Sequence, residues 1–226
     1  MGALADKYDT FIFDWDGTII TMTELRKLDS KLDFTLLLKR KDSIKHLQNV
    51  KKEVKNSGSL LHKIYFNDSK KVRKVEHDIK NRIYAIIINI VLSFTRPRLH
   101  NGVREMLSDL NNKGKTIAVF TNGNVGRILK EAEMLKISNY FTAMLSAQSV
   151  NRLKPNPLGL EVLIKGISAD KKRTLYIGDM VDDIITAKRA GIASCAIADG
   201  LDRKEDLAES NPDYIFRSME EFKKHI

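Results

Sequence analysis

Residues 9–18 read DTFIFDWDGT, and the fold can be inferred outward from this stretch. It begins with a short apolar, aromatic-rich run that ends at the carboxylate of Asp14, and Gly17 follows closely. A short apolar run bounded by a turn residue is typical of a strand that is buried on both faces. The stretch therefore predicts a buried strand over 9–14, leading into a loop that carries Asp14 and Asp16.

From about residue 99 onward, strand-like and helical patterns alternate along the chain. They follow one another in the order helix 102–112, strand 116–121, helix 125–135, strand 143–146, helix 157–165, strand 173–177, helix 182–190 and strand 193–197. Strands separated by single helices favour right-handed parallel crossovers, which place helices on both faces of the sheet. We therefore predict an α/β fold, a doubly wound Rossmann-like parallel sheet.

Residues 21–98 have a different pattern. Leucines recur at a spacing of three to four residues over 25–36, and a second apolar stripe of the same period runs over 72–90. Both periods are helical, and no alternation typical of strands interrupts them. We predict an all-helical domain over 21–98, inserted into a core made of residues 1–20 and 99–226.

The basic charge is concentrated in this predicted insertion. The whole chain has a net charge of +10, but residues 21–98 hold 19 Lys and Arg against 8 Asp and Glu, whereas the rest holds 20 against 21. A basic surface favours nucleic acid, an acidic membrane surface or a phosphorylated ligand as the partner. Aromatic residues that could stack on bases are sparse in the insertion, so a small phosphorylated ligand is favoured over nucleic acid.

Composition excludes several classes of protein. Hydrophobic residues make up 42% and charged residues 30% of the chain, which excludes wholesale disorder. The single cysteine, Cys195, excludes an intrachain disulfide and a cysteine-based zinc site. Asp6, Lys7 and Asp9 argue against a secretory signal, and the longest apolar run, residues 83–92, is too short to span a bilayer. We expect a cytoplasmic protein without a membrane partner; monomer and homodimer both stay open.

Polar side chains follow four of the predicted strands, near the point where each strand ends. In open parallel sheets, ligands bind just outside the carboxyl ends of the strands. The residues concerned are Asp14 and Asp16, Thr121 and Asn122, Lys154, and Asp179 with Asp182 and Asp183. Each aspartate alone is also typical of a turn or a helix N-cap, but polar groups at four strand ends together predict a site.

The carboxylates in this group constrain its chemistry. Two carboxylates about 4 Å apart repel each other by roughly 4 kcal/mol at an effective dielectric constant of about 20, so a cluster of them needs compensation. Protons, Lys154 or a divalent cation could supply it. Since no histidine or cysteine accompanies these oxygens, a cation site here would suit Mg²⁺, which prefers hard oxygen ligands.

The four groups resemble, in order, the four motifs of the haloacid dehalogenase superfamily, whose phosphohydrolases use an aspartate nucleophile. The matching residues are Asp14-Trp15-Asp16-Gly17-Thr18 for motif I, Thr121-Asn122-Gly123 for motif II, Lys154 in Lys-Pro-Asn-Pro for motif III, and Gly178-Asp179 through Asp183 for motif IV. The resemblance covers residues 1–20 and about 99–215. A helical insertion between motifs I and II is a C1 cap in this superfamily, and residues 21–98 would form it.

This resemblance implies a role for each matching residue. Asp14 would be the nucleophile, and Asp16 would protonate the leaving group and then deprotonate water. The residues implied to hold Mg²⁺ are Asp14, Asp16 through its main-chain carbonyl, Asp179 and Asp183, with Asp182 as the alternative to Asp183. The residues implied to bind phosphate are Thr121, Asn122, Gly123 and Lys154. Lys154 would also balance the charge of Asp14.

The implied activity is that of a magnesium-dependent phosphatase of a small phosphomonoester, acting through an aspartyl-phosphate as in the phosphoglycolate-phosphatase-like branch. Asp16 argues against the dehalogenases proper and the phosphonatases, which lack this carboxylate. The alternatives are a sugar-phosphate mutase of the same family, or a nucleic-acid-linked phosphatase or binding protein that uses the basic cap. The acidic-serine pair frequent after motif I is absent, since residues 19–22 read IITM, so the substrate is left open.

For three further residues, the sequence predicts simpler roles. Thr18 is expected to form a turn or a cap, and Cys195 is expected to be an inert core residue. Trp15 either packs in the core or shapes the site, and the sequence does not separate these two roles.

Overall fold

The computed structural model of the chain describes residues 3–21, 97–123, 125–150 and 152–226. Internal contacts divide the chain into one unit of residues 1–22 and 92–226 and another of residues 23–91. All described residues belong to the first unit. The helical cap predicted for 21–98 lies outside the described residues, apart from its two ends, and stays a prediction.

In the described part of the chain, six strands form one sheet in which every strand runs parallel to its neighbours. Their bounds are β1 Thr10–Phe13, β2 Thr116–Thr121, β3 Ala143–Ser146, β4 Thr174–Gly178, β5 Ala193–Ile197 and β6 Tyr214–Phe216. The strands lie in the order β3-β2-β1-β4-β5-β6, so the winding direction reverses at β1. This is the topology of a doubly wound sheet, and the predicted fold class is confirmed.

Helices lie before, between and after these strands. Their bounds are α1 Ala3–Lys7, α2 Val103–Asn112, α3 Val125–Met134, α4 Leu158–Gly166, α5 Val181–Ala190, α6 Lys204–Glu209 and α7 Met219–Lys223. The four predicted helices of the core agree with α2 to α5 within one residue at each end. None of the helices described is long and apolar enough to cross a membrane.

The sheet is buried on both faces: every residue of its central strands β1 and β4 is buried, and most of these residues are apolar. Phe11 and Phe13 of β1 point into one core together with side chains of α2 and α3, whereas Ile12 points into the other core with side chains of α4 and α5. All three β1 side chains are fully buried. Since successive side chains of a strand point to opposite faces, a continuous apolar run marks such a strand. Cys195 of β5 lies buried in the first core, as expected.

Four elements, α1, α6, β6 and α7, have no counterpart among the predicted ones. β6 has three residues, which is too short for a clear alternating pattern. A usable signal exists for α7, because the Ser218 hydroxyl accepts from the N–H of Glu221 at 3.2 Å and the Glu221 carboxylate accepts from the N–H of Arg217 at 2.6 Å. Serine followed by glutamate three residues later is a sequence signature of a helix start.

We expect Phe120→Ala to lower the free energy of unfolding by about 3–5 kcal/mol. The Phe120 ring is fully buried against the Tyr176 ring, and a Cβ added at Gly159 of α4 would lie 2.5 Å from it. Chemical denaturation followed by circular dichroism measures the change. Leu129→Ala, at a side chain that is 46% exposed, is the control and should cost less than about 1 kcal/mol. Equal losses in the two variants would contradict this description of the core.

Candidate active site

The parallel sheet brings the loops after several strands to one edge. Asp14 follows β1, and its N–H donates to the carbonyl of Ile177 in β4 at 2.8 Å, which extends the ladder between the two strands. Asp179 follows β4 directly, so Asp14 and Asp179 begin adjacent loops. Lys154 lies in the segment between β3 and α4, and Asp183 lies in the first turn of α5. The structure thus brings these four predicted site residues together.

Three buried carboxylates lie at this edge of the sheet. One oxygen each of Asp14, Asp179 and Asp183 lies within 4.8 Å of the other two. Burial, assisted by the charge of Asp183, raises the pKa of Asp14 to about 7 against the influence of Lys154. Burial and the charge of Asp14 raise the pKa of Asp179 well above its ordinary value. A cluster with raised carboxyl pKa values has a strong tendency to bind either protons or a cation.

Lys154 supplies positive charge to this cluster. Its ammonium nitrogen lies 2.6 Å from Oδ1 of Asp183 and 2.9 Å from Oδ1 of Asp14. Burial alone would lower the pKa of Lys154, but the charges of Asp14 and Asp183 raise it well above its ordinary value. The hydroxyl of Tyr176 lies 3.2 Å from the same nitrogen. When all three carboxyl groups are ionised, one ammonium leaves the cluster with an excess of negative charge.

The residues present fit a hard divalent cation. Oδ1 of Asp14 is buried and accepts no aligned hydrogen bond from the described residues, although the ammonium of Lys154 is close to it. The clustered donor atoms are carboxylate oxygens, which suit Mg²⁺ better than they suit soft metals. A cation at this cluster would supply Oδ1 of Asp14 with a further partner and would offset the excess negative charge.

Asp179 is fixed by close neighbours. The hydroxyl of Thr18 donates to its Oδ1 and the N–H of Leu201 to its Oδ2, each at 2.7 Å. Gly17 has a φ of +86°, and a Cβ there would lie 2.2 Å from Oδ2 of Asp179, while a Cβ on Gly200 would lie 2.0 Å from Cβ of Asp179. Glycine is therefore required on both sides. Thr18 lies in a turn, as expected, and it also orients a predicted metal ligand.

Of the two candidate acids in α5, Asp183 is the one that joins the cluster. Its Oδ1 contacts Lys154 and lies 3.1 Å from the hydroxyl of Tyr176, and its Oδ2 accepts from the N–H of Met180 at 3.0 Å. Asp183 is fully buried, whereas Asp182 is half-buried and is not a member of the carboxylate cluster. The geometry therefore favours Asp183 between the alternatives that the sequence leaves open.

The loop after β2 holds the loop of Lys154 in place. Oδ1 of Asn122 accepts from the main-chain N–H of Lys154 at 2.9 Å, and the Asn122 carbonyl accepts from the side chain of Gln148 at 2.8 Å. The hydroxyl of Thr121 accepts from the N–H of Gly123 at 3.0 Å. Asn122 thus joins motifs II and III, which its motif position alone does not indicate. The contacts of Thr121, Asn122 and Gly123 with phosphate stay predictions.

Asp16 lies in an ion pair that has no counterpart in the predicted site. Arg127 of α3 donates from Nη1 to Oδ1 of Asp16 at 3.0 Å and from Nη2 to Oδ2 at 2.5 Å. Nη1 of Arg127 also lies 3.0 Å from both carboxylate oxygens of Glu131. Burial alone would lower the pKa of Arg127, but Asp16 and Glu131 raise it. The i, i+4 spacing of Arg127 and Glu131 is the sequence signal for part of this network.

Trp15 packs in the core, which is one of the two roles expected for it. Its side chain is fully buried, and its ring lies 6.0 Å from that of Phe141. The indole N–H donates to Oε2 of Glu131 at 2.7 Å. Burial raises the pKa of Glu131, against the opposing influence of Arg127. Trp15 therefore also connects the loop after β1 with α3.

Tyr176 is a further residue near the cluster that the motifs do not indicate. Its fully buried hydroxyl donates to the carbonyl of Phe120 at 2.9 Å, in addition to its contacts with Lys154 and Asp183. In the sequence, Tyr176 lies within an apolar strand pattern, where an aromatic residue is typical of the core. Its hydroxyl is recognisable as part of the site only from the fold.

Comparisons with known proteins agree with the motifs. A family model described as haloacid dehalogenase-like hydrolase matches residues 11–197, a range that includes all four motifs. A phosphoglycolate phosphatase from Haemophilus influenzae is 34% identical over 119 residues, which is 53% of this chain and 53% of that protein. A phosphoglycolate phosphatase from Pseudomonas fluorescens is 25% identical over 211 residues, which is 92% of this chain and 76% of that protein.

The chain spans about half the length of the curated relatives that it matches at 31–34% identity. Among solved structures, a hydrolase of the haloacid dehalogenase-like family from Streptococcus pneumoniae has a TM-score of 0.64 at 17% identity, covering 97% of this chain and 99% of that one. A likeness at this level of identity supports the fold.

We expect Mg²⁺ to raise the melting temperature of the protein, and to raise it more at about pH 8 than at about pH 5. The pKa of Asp14 is raised in the folded state, so the folded protein loses stability as the pH rises from the ordinary carboxyl range through about 7. A cation bound to the ionised cluster relieves this repulsion, whereas protons compete with it at low pH. Differential scanning fluorimetry with and without Mg²⁺ measures the effect.

Two matched variants control this measurement. Asp179→Asn should abolish the shift caused by Mg²⁺, because it removes a charged oxygen ligand from the cluster. Asp109→Asn changes an exposed aspartate of α2 and should keep the full shift. A full shift in Asp179→Asn, or a shift that does not depend on pH, would show that the cation binds elsewhere.

Lys154→Met should destabilise the protein in EDTA by about 3–5 kcal/mol, because it leaves the carboxylates of Asp14 and Asp183 buried without their ammonium partner. Lys130→Met, at an exposed position of α3, is the matched control and should cost less than about 0.5 kcal/mol. Urea denaturation measures both. Equal stability of the two variants would mean that Lys154 does not compensate the cluster.

Proposed function

This chain belongs to the haloacid dehalogenase-like hydrolase family, and we propose that it is a magnesium-dependent phosphatase of small phosphomonoesters. One observation carries the proposal: three buried carboxylates and one lysine, from the segments after β1, β3 and β4, meet at the carboxyl edge of the sheet. The phosphoglycolate phosphatases that the chain resembles over about half their length support the same class of reaction.

In the first step, a carboxylate oxygen of Asp14 attacks the phosphorus atom of the substrate. The adjacent ammonium of Lys154 stabilises the ionised nucleophile and the charge that develops on the transferred phosphoryl group. The bond between phosphorus and the leaving oxygen breaks as the bond from Asp14 forms. Asp14 then carries the phosphoryl group as an aspartyl-phosphate.

Asp16 moves a proton in both halves of the reaction. Its carboxyl gives a proton to the leaving oxygen in the first half, and its carboxylate takes a proton from water in the second half, when that water attacks phosphorus. The bond between Asp14 and phosphorus then breaks, and inorganic phosphate leaves. The side chain of Asp16 is 17% exposed, which is consistent with access to substrate and water.

Asp14, the main-chain carbonyl of Asp16, Asp179 and Asp183 would hold Mg²⁺ in this proposal. When bound, the ion would neutralise carboxylate charge and polarise the phosphoryl oxygens. Thr18 and the N–H of Leu201 orient the carboxylate of Asp179, so these neighbours would keep that ligand ready for the cation.

Thr121, Asn122, Gly123 and Lys154 would bind the oxygens of the phosphoryl group. The hydroxyl of Thr121 accepts from the N–H of Gly123, so its own proton can be donated outward to a phosphoryl oxygen. The hydrogen bond from the Lys154 main chain to Asn122 keeps the two loops in register. These contacts would position the phosphoryl group next to the carboxylate of Asp14.

We propose a small anionic metabolite of the phosphoglycolate type as the substrate. The basic charge of residues 21–98 would attract such an anion, and it is the argument for a substrate that carries a further anionic group besides its phosphate. Three further points stay predictions: a cap domain formed by residues 21–98, a cytoplasmic location and the absence of a nucleic-acid partner. Monomer and homodimer both stay open.

Asp14→Asn should lower Mg²⁺-dependent hydrolysis of phosphomonoesters by about 10³-fold or more, because an amide is a poor nucleophile. Release of inorganic phosphate from a panel that includes phosphoglycolate and p-nitrophenyl phosphate measures the activity. Asp109→Asn, the exposed control of α2, should keep the wild-type rate.

The same panel separates the rival functions. Hydrolysis that needs Mg²⁺ and is lost in Asp14→Asn supports the phosphatase. Isomerisation of a sugar phosphate that depends on a sugar bisphosphate would instead identify the protein as the mutase. A wild-type protein that binds Mg²⁺ but turns over no phosphomonoester would overturn the proposed function.

A further inference from the structure

We propose that Arg127 is a positioning residue that fixes the carboxylate of Asp16 for proton transfer, and that Trp15 and Glu131 hold Arg127 in place. The inference rests on the proposed function, because that function gives Asp16 its role with the leaving group and with water. Arg127 and Glu131 both lie on α3, outside the four sequence motifs.

Four residues form a closed ring of contacts. The indole N–H of Trp15 donates to Glu131 at 2.7 Å, and Glu131 accepts from Arg127 at 3.0 Å. Arg127 donates in turn to both carboxylate oxygens of Asp16, at 3.0 Å and 2.5 Å. Because Asp16 follows Trp15 in the chain, the ring closes. The indole of Trp15, the residue before Asp16, and the Asp16 carboxylate are therefore both held by one turn of α3.

Burial makes this ring rigid. The side chains of Arg127 and Glu131 are 8% and 7% exposed, and Trp15 is fully buried. A buried polar group that leaves its partner loses a hydrogen bond that water does not replace, so alternative side-chain positions are strongly disfavoured. Asp16 is the more exposed end of the ring, at 17%. The other three residues of the ring thus hold the carboxylate of Asp16, which is the part of the ring closest to solvent.

The glycine of motif II makes room for this arrangement. A Cβ on Gly123 would lie 2.6 Å from Nη2 of Arg127 and 3.0 Å from Oδ2 of Asp16. A larger residue would therefore press on the pair that joins the guanidinium to the carboxylate. Gly123 lies just before α3, which begins at Val125, so motif II and Arg127 belong to one continuous segment.

The chemistry of the pair suits positioning. The planar fork of arginine fixes both the distance and the orientation of a carboxylate, whereas the ammonium of a lysine fixes the distance alone. A carboxylate has about four lone-pair sites, and two N–H groups occupy two of them. Asp16 therefore keeps lone pairs that can face a leaving oxygen or a water molecule while Arg127 holds its orientation.

The test compares two leaving groups. p-Nitrophenolate departs without a proton, whereas the alkoxide of an alkyl phosphate needs one from a general acid. The ratio kcat/KM reports on the steps up to cleavage of the substrate, and therefore on the acid role of Asp16. We expect Arg127→Met to lower kcat/KM by about 30-fold for an alkyl phosphate and by less than about 3-fold for p-nitrophenyl phosphate. Arg127→Lys should lie between wild type and Arg127→Met.

Arg173→Met is the matched control. Arg173 pairs with Asp9, which precedes β1 at the opposite end of the sheet. Loss of the Arg173 side chain should therefore change kcat/KM for neither substrate. Melting temperatures are measured for every variant. If Arg127→Met does not fold, Glu131→Gln takes its place, because it keeps an acceptor for Trp15 while weakening the hold on Arg127. Glu131→Gln should lower kcat/KM more for the alkyl phosphate than for p-nitrophenyl phosphate, by a smaller factor than Arg127→Met.

Each outcome decides the matter. A larger loss for the alkyl phosphate supports the positioning role. Equal losses with both substrates, or no loss with either, overturn it, because a purely structural role does not distinguish leaving groups. A wild-type protein that hydrolyses neither substrate overturns the proposed function and this role with it. Normal wild-type hydrolysis without a substrate difference in the variants overturns this inference alone.

Discussion

Repulsion among Asp14, Asp179 and Asp183 is the interaction on which the rest of the site depends. Three carboxylates are buried within 4.8 Å of one another, and burial disfavours the charged forms of Asp14 and Asp179. The fold keeps them close by surrounding them with donors, among them the ammonium of Lys154 and the hydroxyl of Thr18. Such a cluster lowers the stability of the folded protein unless a bound cation compensates its charge. Its presence therefore indicates a functional site.

The parallel sheet is what makes this concentration of charge possible. Strands β1 and β4 pair with each other and are buried on both faces, and each is followed directly by an aspartate in adjacent loops at one edge. Close packing at Gly17 and Gly200 then sets the position of Asp179. Asp16 is held differently, by a guanidinium on α3 rather than by the sheet. The predicted nucleophile and the predicted proton carrier therefore have separate supports, although they are two residues apart in the chain.

Much of this could be predicted from the sequence, because the signals are local. The apolar run before Asp14 and the alternation after residue 99 depend on neighbouring residues, and parallel strands necessarily end at one edge. The pairing of Arg127 with Asp16 could not be predicted, since 111 residues separate them and the i, i+4 pair on α3 is equally typical of a solvent-exposed helix. The role of the Tyr176 hydroxyl could not be predicted either, because Tyr176 lies within an apolar strand pattern that is typical of the core.

In the proposed reaction, Asp14 carries the phosphoryl group during turnover. Acid quenching of the protein in the presence of Mg²⁺ and a phosphomonoester, followed by borohydride reduction and peptide mass spectrometry, tests it most directly, because reduction of an aspartyl-phosphate yields homoserine. We expect homoserine at position 14 in protein quenched during turnover and none in protein without substrate. Turnover with no homoserine there, or with homoserine at another aspartate, would contradict it.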